Sequence, residues 1–157
     1  DITMSMEEYD VLFGKPVNII KTPTGYDSVV ITRTYNKAVC EFISYLSNGE
    51  VTKTELWGMD VTSPDYSALR GIHVGDSLDS VIAKFPDAGG ETYEQSGKTV
   101  RPLYGVYGEW FTYGCVISQN NQPIRVELCD PEWRVMILLD DYQCVSSIRL
   151  KETARGE

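Results

Sequence analysis

The chain has 157 residues, enough for one domain or for two small halves sharing a core. Its 42% hydrophobic and 24% charged content is that of a globular protein and argues against disorder. Lys plus Arg total 14 against 23 Asp plus Glu, a formal charge of −9, which disfavours a nucleic-acid partner and would be repelled by an anionic membrane surface.

The first predicted element lies in ITMSMEEYDVLFGKP, residues 2–16. Ser5 can cap a helix, with Glu8 three positions later as in a capping box. Tyr9, Leu12 and Phe13 share one face at helical spacing, and Gly14 and Pro16 end the helix. Strand signals follow in SVVITRTY (28–35) and AVCEFISYL (38–46). Ser47-Asn48-Gly49-Glu50 is a hairpin turn, and VTKTELW (51–57) is the returning strand. Gly58 to Leu69, with Ser63-Pro64-Asp65, reads as loop.

The second half opens with RGIHVGDSLDSVIAKFPD (70–87). Asp76 or Ser77 caps a helix whose stripe is Leu78, Val81, Ile82 and Phe85, and Pro86 stops it. Residues 88–109 are rich in Gly, Tyr, Ser and Thr and read as irregular or ribbon-like. Strands resume at 109–118, turn at Asn120-Asn121-Gln122-Pro123, and return at 124–129. A last hairpin joins 134–139 to 144–150 through Asp140-Asp141-Tyr142.

The halves resemble each other. Ser5 aligns with Ser77, Tyr9 with Val81 and Phe13 with Phe85; further on, Leu56 aligns with Leu150. The extra residues of the second half fall near 88–109. The expected fold is therefore α+β: one domain over 1–157, built of two tandem sub-repeats, 1–62 and 63–157. Each is a short helix plus an antiparallel β-meander, and the two share a sheet.

Gly71-Ile72, Val74-Gly75-Asp76-Ser77, Val81 and Phe85, with Thr3, Ser5, Tyr9, Phe13 and Gly14 as a first copy, form a repeated pattern. It resembles the repeat unit of the β-lactamase-inhibitor-protein and BamE-like fold, found in bacterial cell-envelope proteins and lipoproteins. Thr3 and Pro86 stand where that pattern favours glycine. The resemblance implies export, an extracellular or cell-surface location (secreted, or lipid-anchored upstream of residue 1), and a protein-binding role. It supplies no inhibitory residue.

The four cysteines, Cys40, Cys115, Cys129 and Cys144, contain no CxxC pair, which argues against zinc, iron–sulfur and redox sites. They allow two disulfides in three connectivities, or four buried thiols. Regular register places Cys115 opposite residue 127, so a bond to Cys129 needs a bulge; Cys129 with Cys144 is the other pairing considered. The chain opens at Asp1, as a trimmed secreted protein or an excised domain would, and has no apolar run of transmembrane length and no glycosylation sequon.

Little in the sequence points to catalysis. His73 is the only histidine, and Ser77 is better explained as a cap than as a nucleophile. No GxSxG, HExxH or phosphate-loop pattern occurs, so no catalytic residue, cofactor or metal site is assigned. The unusual feature is aromatic: ten tyrosines and three tryptophans, with Tyr93, Tyr104, Tyr107, Trp110 and Tyr113 crowded together near Lys98 and Arg101. Such rings supply rigid recognition area, so this segment is the expected binding surface. The expected function is an extracytoplasmic, non-catalytic module for a protein partner. A carbohydrate or small-ligand module and a structural envelope domain are the alternatives.

Overall fold

A computed structural model describes residues 4–25, 27–85, 91–107, 111–129 and 132–153; the side chains of 105–107 and 111–113 lie outside that description. The chain divides into two compact units, 1–61 and 62–157.

Unit 1 opens with helix α1 (Met6–Phe13). The capping box read from the sequence is present: Ser5 Oγ accepts from the Glu8 amide at 3.3 Å, and Glu8 Oε2 accepts from the Ser5 amide at 2.7 Å. Four antiparallel strands follow as a meander in chain order: β1 (Asn18–Thr24), β2 (Ser28–Thr34), β3 (Ala38–Ser47) and β4 (Glu50–Val61). Asn48 and Gly49 both take positive φ, 52° and 82°, as the two-residue hairpin between β3 and β4 demands. Alternate residues of β3, namely Ala38, Cys40, Phe42 and Ser44, are buried on one face. Ile31 of β2 and Leu56 of β4 lie directly opposite Phe42 in the register. Helix α1 covers this face. Tyr9 meets Phe42 edge-on at 5.5 Å between ring centres, and Phe13 packs on Tyr35 at 5.4 Å.

Unit 2 carries helix α2 (Leu78–Ile82) and six antiparallel strands: β5 (Tyr93–Gln95), β6 (Lys98–Tyr107), β7 (Phe111–Gln119), β8 (Gln122–Cys129), β9 (Trp133–Leu139) and β10 (Val145–Glu152). Each pairs with its chain neighbour. Val116, Val126, Ile137 and Ile148 form one row across β7 to β10. Ile72, Leu78, Val81 and Phe85 pack on that face. The entry to α2 is tied to β10: the Gly75 amide donates to the Val145 carbonyl, the Val145 amide to Asp76 and the Leu78 amide to Gln143, each at 2.8 Å.

The expected α+β class of tandem helix-plus-meander units is overturned. Among the described residues the α-helices are eight and five residues long, while ten antiparallel strands carry the architecture, so the chain is β-rich. The units also differ, with four strands in one and six in the other. Ser5 and Ser77 do cap their helices, but a cap marks where a helix starts and says nothing of how much chain it organises.

Three strands escaped the sequence reading: β1, the three-residue β5, and β6. β1 contains Pro23, and β6 contains Pro102, a residue that argues against a paired strand. β5 covers only Lys98 to Val100 of β6, so Pro102 falls on a stretch whose outer side β5 leaves unpaired, where a missing N–H costs little. Ser96-Gly97, at φ 51° and 73°, is the turn signal that could have revealed the β5–β6 hairpin.

Ile137 is fully buried in the cross-strand row. Ile137→Ala should cost about 2–5 kcal/mol in urea unfolding through lost transfer energy and the cavity left behind. Val51→Ala, at an exposed position of β4, should change stability by no more than about 0.5 kcal/mol.

Candidate functional site

Three features of the units bring chemistry-bearing side chains together. The first lies beneath α1. Asp10 reaches from the helix to β2, where Arg33 Nη1 donates to Oδ2 at 2.5 Å; Tyr35 OH donates to Oδ1 at 2.7 Å. Burial alone would raise the Asp10 pKa, but the hydrogen bonds from Arg33 and Tyr35 and the Arg33 charge outweigh it and hold the carboxyl below its usual range. Tyr35 is pushed well above the ordinary phenol range by burial and by its bond to Asp10. Cys40, paired with Arg33 in the register, is pushed up to about 12 by burial and by the Asp10 charge, with Arg33 opposing. A thiol in that state is protonated at neutral pH and is no nucleophile. This cluster clamps α1 to the sheet.

The second feature belongs to unit 2. Phe85 and Tyr104 stack with ring planes 2° apart and centres 5.4 Å apart, and the Arg70 guanidinium lies 4.9 Å from the Phe85 centre. Arg70 sits at φ 60° and donates to the Lys84 carbonyl at 2.9 Å; Lys84 Nζ returns a 2.6 Å bond to the Gly71 carbonyl. Gly114 lies opposite Tyr104, and a Cβ there would overlap the tyrosine ring. Tyr104 is thereby committed to packing against the unit 2 core. The two cations bond to main-chain carbonyls of their own unit.

The third feature is the rim formed by the end of α1 and by β1. Val11 and Leu12 face outward on the last turn of the helix, and Val17, Ile19 and Ile20 are exposed on the strand and its approach. Among the described residues β1 pairs with β2 alone and stands at the end of the strand order, so it is an edge.

The residues expected to form the binding surface are dispersed. Tyr93 is exposed on β5, Lys98 is half-buried, Arg101 is exposed and Tyr104 sits in the stack just described. The side chains of Tyr107 and Tyr113, and the whole of Trp110, lie outside the described residues. Of the two expected caps of α2, Ser77 is the one, its Oγ accepting from the Ser80 amide at 3.2 Å; Asp76 instead closes the loop ahead of the helix, its Oδ2 accepting from the His73 amide at 3.0 Å. Cys115 pairs with Glu127 in the register. Cys144 Sγ lies 3.8 Å from the Tyr142 carbonyl in the β9–β10 turn, and unit 1 contains no cysteine other than Cys40. No helix among the described residues is long and apolar enough to cross a membrane. Among them, no group of three His, Cys, Asp or Glu side chains could hold a metal ion.

The rim residues were missed by the sequence reading. The available signal was the run from Gly14 to Tyr26, which holds two lysines, no acid and the pair Ile19-Ile20 in a chain of charge −9.

No family model and no curated protein matches the chain. Neither comparison, therefore, supplies a relative of the β-lactamase-inhibitor-protein or BamE-like kind. Among solved structures, an extracellular protein containing an SCP domain from Bacillus anthracis str. Ames is similar, with a TM-score of 0.48 and 9% identity over 94% of this chain. The chain spans 43% of that structure's length. A likeness at this level carries no functional assignment.

Asp10→Asn should lower stability at pH 7 by about 1–2 kcal/mol, a charged hydrogen bond discounted for partial exposure. The Asp10 pKa is depressed on folding, so its contribution is present above the unfolded value of about 3.9 and is lost as pH falls through the lower folded value. The difference between wild type and variant in urea titrations should accordingly shrink in acid. A difference that stays constant down to pH 2 would show that the pair contributes nothing through ionisation.

Cys40 is fully buried, so it should react with iodoacetamide only in denaturant. Peptide mapping after alkylation in native buffer reads this directly; a labelled Cys40 there would show that α1 opens readily.

Proposed function

We propose that this chain is a non-catalytic binding module that works outside the cytosol and recognises a protein partner. The observation that carries the reading is the α1–β1 rim. Val11, Val17, Ile19 and Ile20 are 86%, 62%, 47% and 52% exposed and lie in turn on α1, the link and β1 of one unit, with Ile19 and Ile20 on opposite faces of the strand. Single exposed apolar residues are ordinary, but four on adjoining segments beside an open strand edge support a surface that another molecule covers.

The polar clusters support the same reading by their occupation. The Asp10 carboxylate is taken up by Arg33 and Tyr35, and the cations of the Phe85–Tyr104 stack are bonded to carbonyls. Each is accounted for by holding a helix or loop in place.

A photoreactive phenylalanine analogue placed at Ile20 in the producing cells tests the proposal. It should yield a discrete protein adduct that the same analogue at exposed Glu50 does not. Adducts no different from the control would overturn it, and retention of the purified chain on cell-wall polysaccharide instead would establish a carbohydrate-binding module.

A further inference from the structure

The rim has a character more specific than exposed apolar area. β1 is a seven-residue edge strand, exposed along Asn18 to Pro23, with one hydrogen-bonded neighbour. Its outer side therefore offers the alternating N–H and C=O groups that a further strand needs. The run from Gly14 to Tyr26 contains Lys15 and Lys21 and no carboxylate, in a chain with 23 acidic residues. Register places Lys21 beside Ile31, and Ile19 beside Arg33, whose guanidinium is held by Asp10. Lys21 is thus an exposed positive charge at the centre of an otherwise neutral, β-branched edge.

We propose that β1 receives an extended, acidic segment of the protein partner as an added antiparallel strand. The inference rests on the binding-module reading above and names its site and chemistry. Main-chain bonds to residues 18–22 would supply affinity, and a carboxylate opposite Lys21 would set the register. Pro23 has no N–H to donate, so the added strand pairs up to Thr22 and is displaced beyond it.

A second copy of this chain does not fit. Antiparallel pairing of β1 with itself about its midpoint sets Lys21 against Lys21, and like charges directly opposite are destabilising. An acidic segment turns the local positive charge to advantage, and the surrounding negative charge opposes any partner segment that binds away from this edge.

The probe is a fluorescein-labelled heptapeptide, Thr-Thr-Glu-Val-Val-Thr-Glu, added to the full chain and followed by fluorescence anisotropy at low and high salt. It should bind more weakly as salt rises. Lys21→Glu should weaken it about tenfold, as reversal of one close charge pair does. The same substitution should improve binding of a peptide with lysine in place of each glutamate. N-methylation of alternate peptide amides should abolish binding, because strand addition uses the main chain. Hydrogen exchange should slow at residues 18–22 on peptide addition and stay unchanged in β3.

Absence of binding, equal binding of the N-methylated peptide, or indifference to Lys21→Glu would each overturn strand addition at β1. Photo-crosslinking at Ile20 together with any of these results would keep the binding-module reading and remove strand addition alone. Loss of both would remove the rim as a recognition surface.

Discussion

Burial of Tyr9 and Phe13 against the β2–β4 face is the interaction on which unit 1 depends. An eight-residue helix is not stable on its own in water, because nucleation costs more than two turns of hydrogen bonds return. It exists here because two aromatic rings are taken out of water against Phe42 and Tyr35. The sheet needs the helix as much. Without it Ile31, Cys40, Phe42 and Leu56 would lie open on one face. The capping box sets where the helix begins, and the Asp10–Arg33–Tyr35 bonds set its rotation over the strands. That rotation points Tyr9 and Phe13 inward, and it necessarily turns Val11 outward on the last turn. The exposure of Val11 is thus a consequence of how the helix docks.

Unit 2 solves the same problem with less helix and more loop. Five residues of α2 supply Leu78 and Val81, and flanking chain supplies Ile72 and Phe85. Such a short helix cannot place itself, so its entry is held by main-chain bonds to β10 and by Asp76 accepting from the His73 amide. Arg70 then lies over Phe85, and Lys84 ties back to the loop carbonyl of Gly71. Every one of these polar groups serves to keep a loop over a sheet.

The two units treat their free edges differently. In unit 2 the outermost strand, β5, is three residues long, a common way to limit unwanted pairing. In unit 1 the edge strand is seven residues long and carries a charge near its middle and a proline near its end. Those residues restrict which strands can add and where, without removing the edge. An edge so restricted, beside exposed apolar side chains, is selective rather than closed.

Local chemistry was legible in the sequence wherever a few neighbouring residues determine the outcome. The Ser5–Glu8 capping box, the Ser77 cap, the Asn48-Gly49 and Asn120-Asn121 turns and the inward residues Tyr9, Phe13, Leu78, Val81 and Phe85 all depend on contacts within a turn or two of helix or hairpin, whereas Leu12, read on the same stripe, is exposed and Ile82 only partly buried. The balance of helix and strand was not legible, since caps announce helix starts and not helix lengths. The strands β1 and β6 were hidden by Pro23 and Pro102; Pro23 is acceptable because β1 has no further strand on its outer side, and Pro102 because β5 stops at Val100, facts held by the sheet order and not by the prolines themselves. Tyr104 looked like a recognition residue by type; its stacking on Phe85 over Gly114 was set by partners ten and nineteen positions away. The exposed edge at Ile19, Ile20 and Lys21 was decided by the sheet order, because exposure of a strand depends on which strand fails to lie beside it; Lys21 and Pro23 suit an edge but do not by themselves make one.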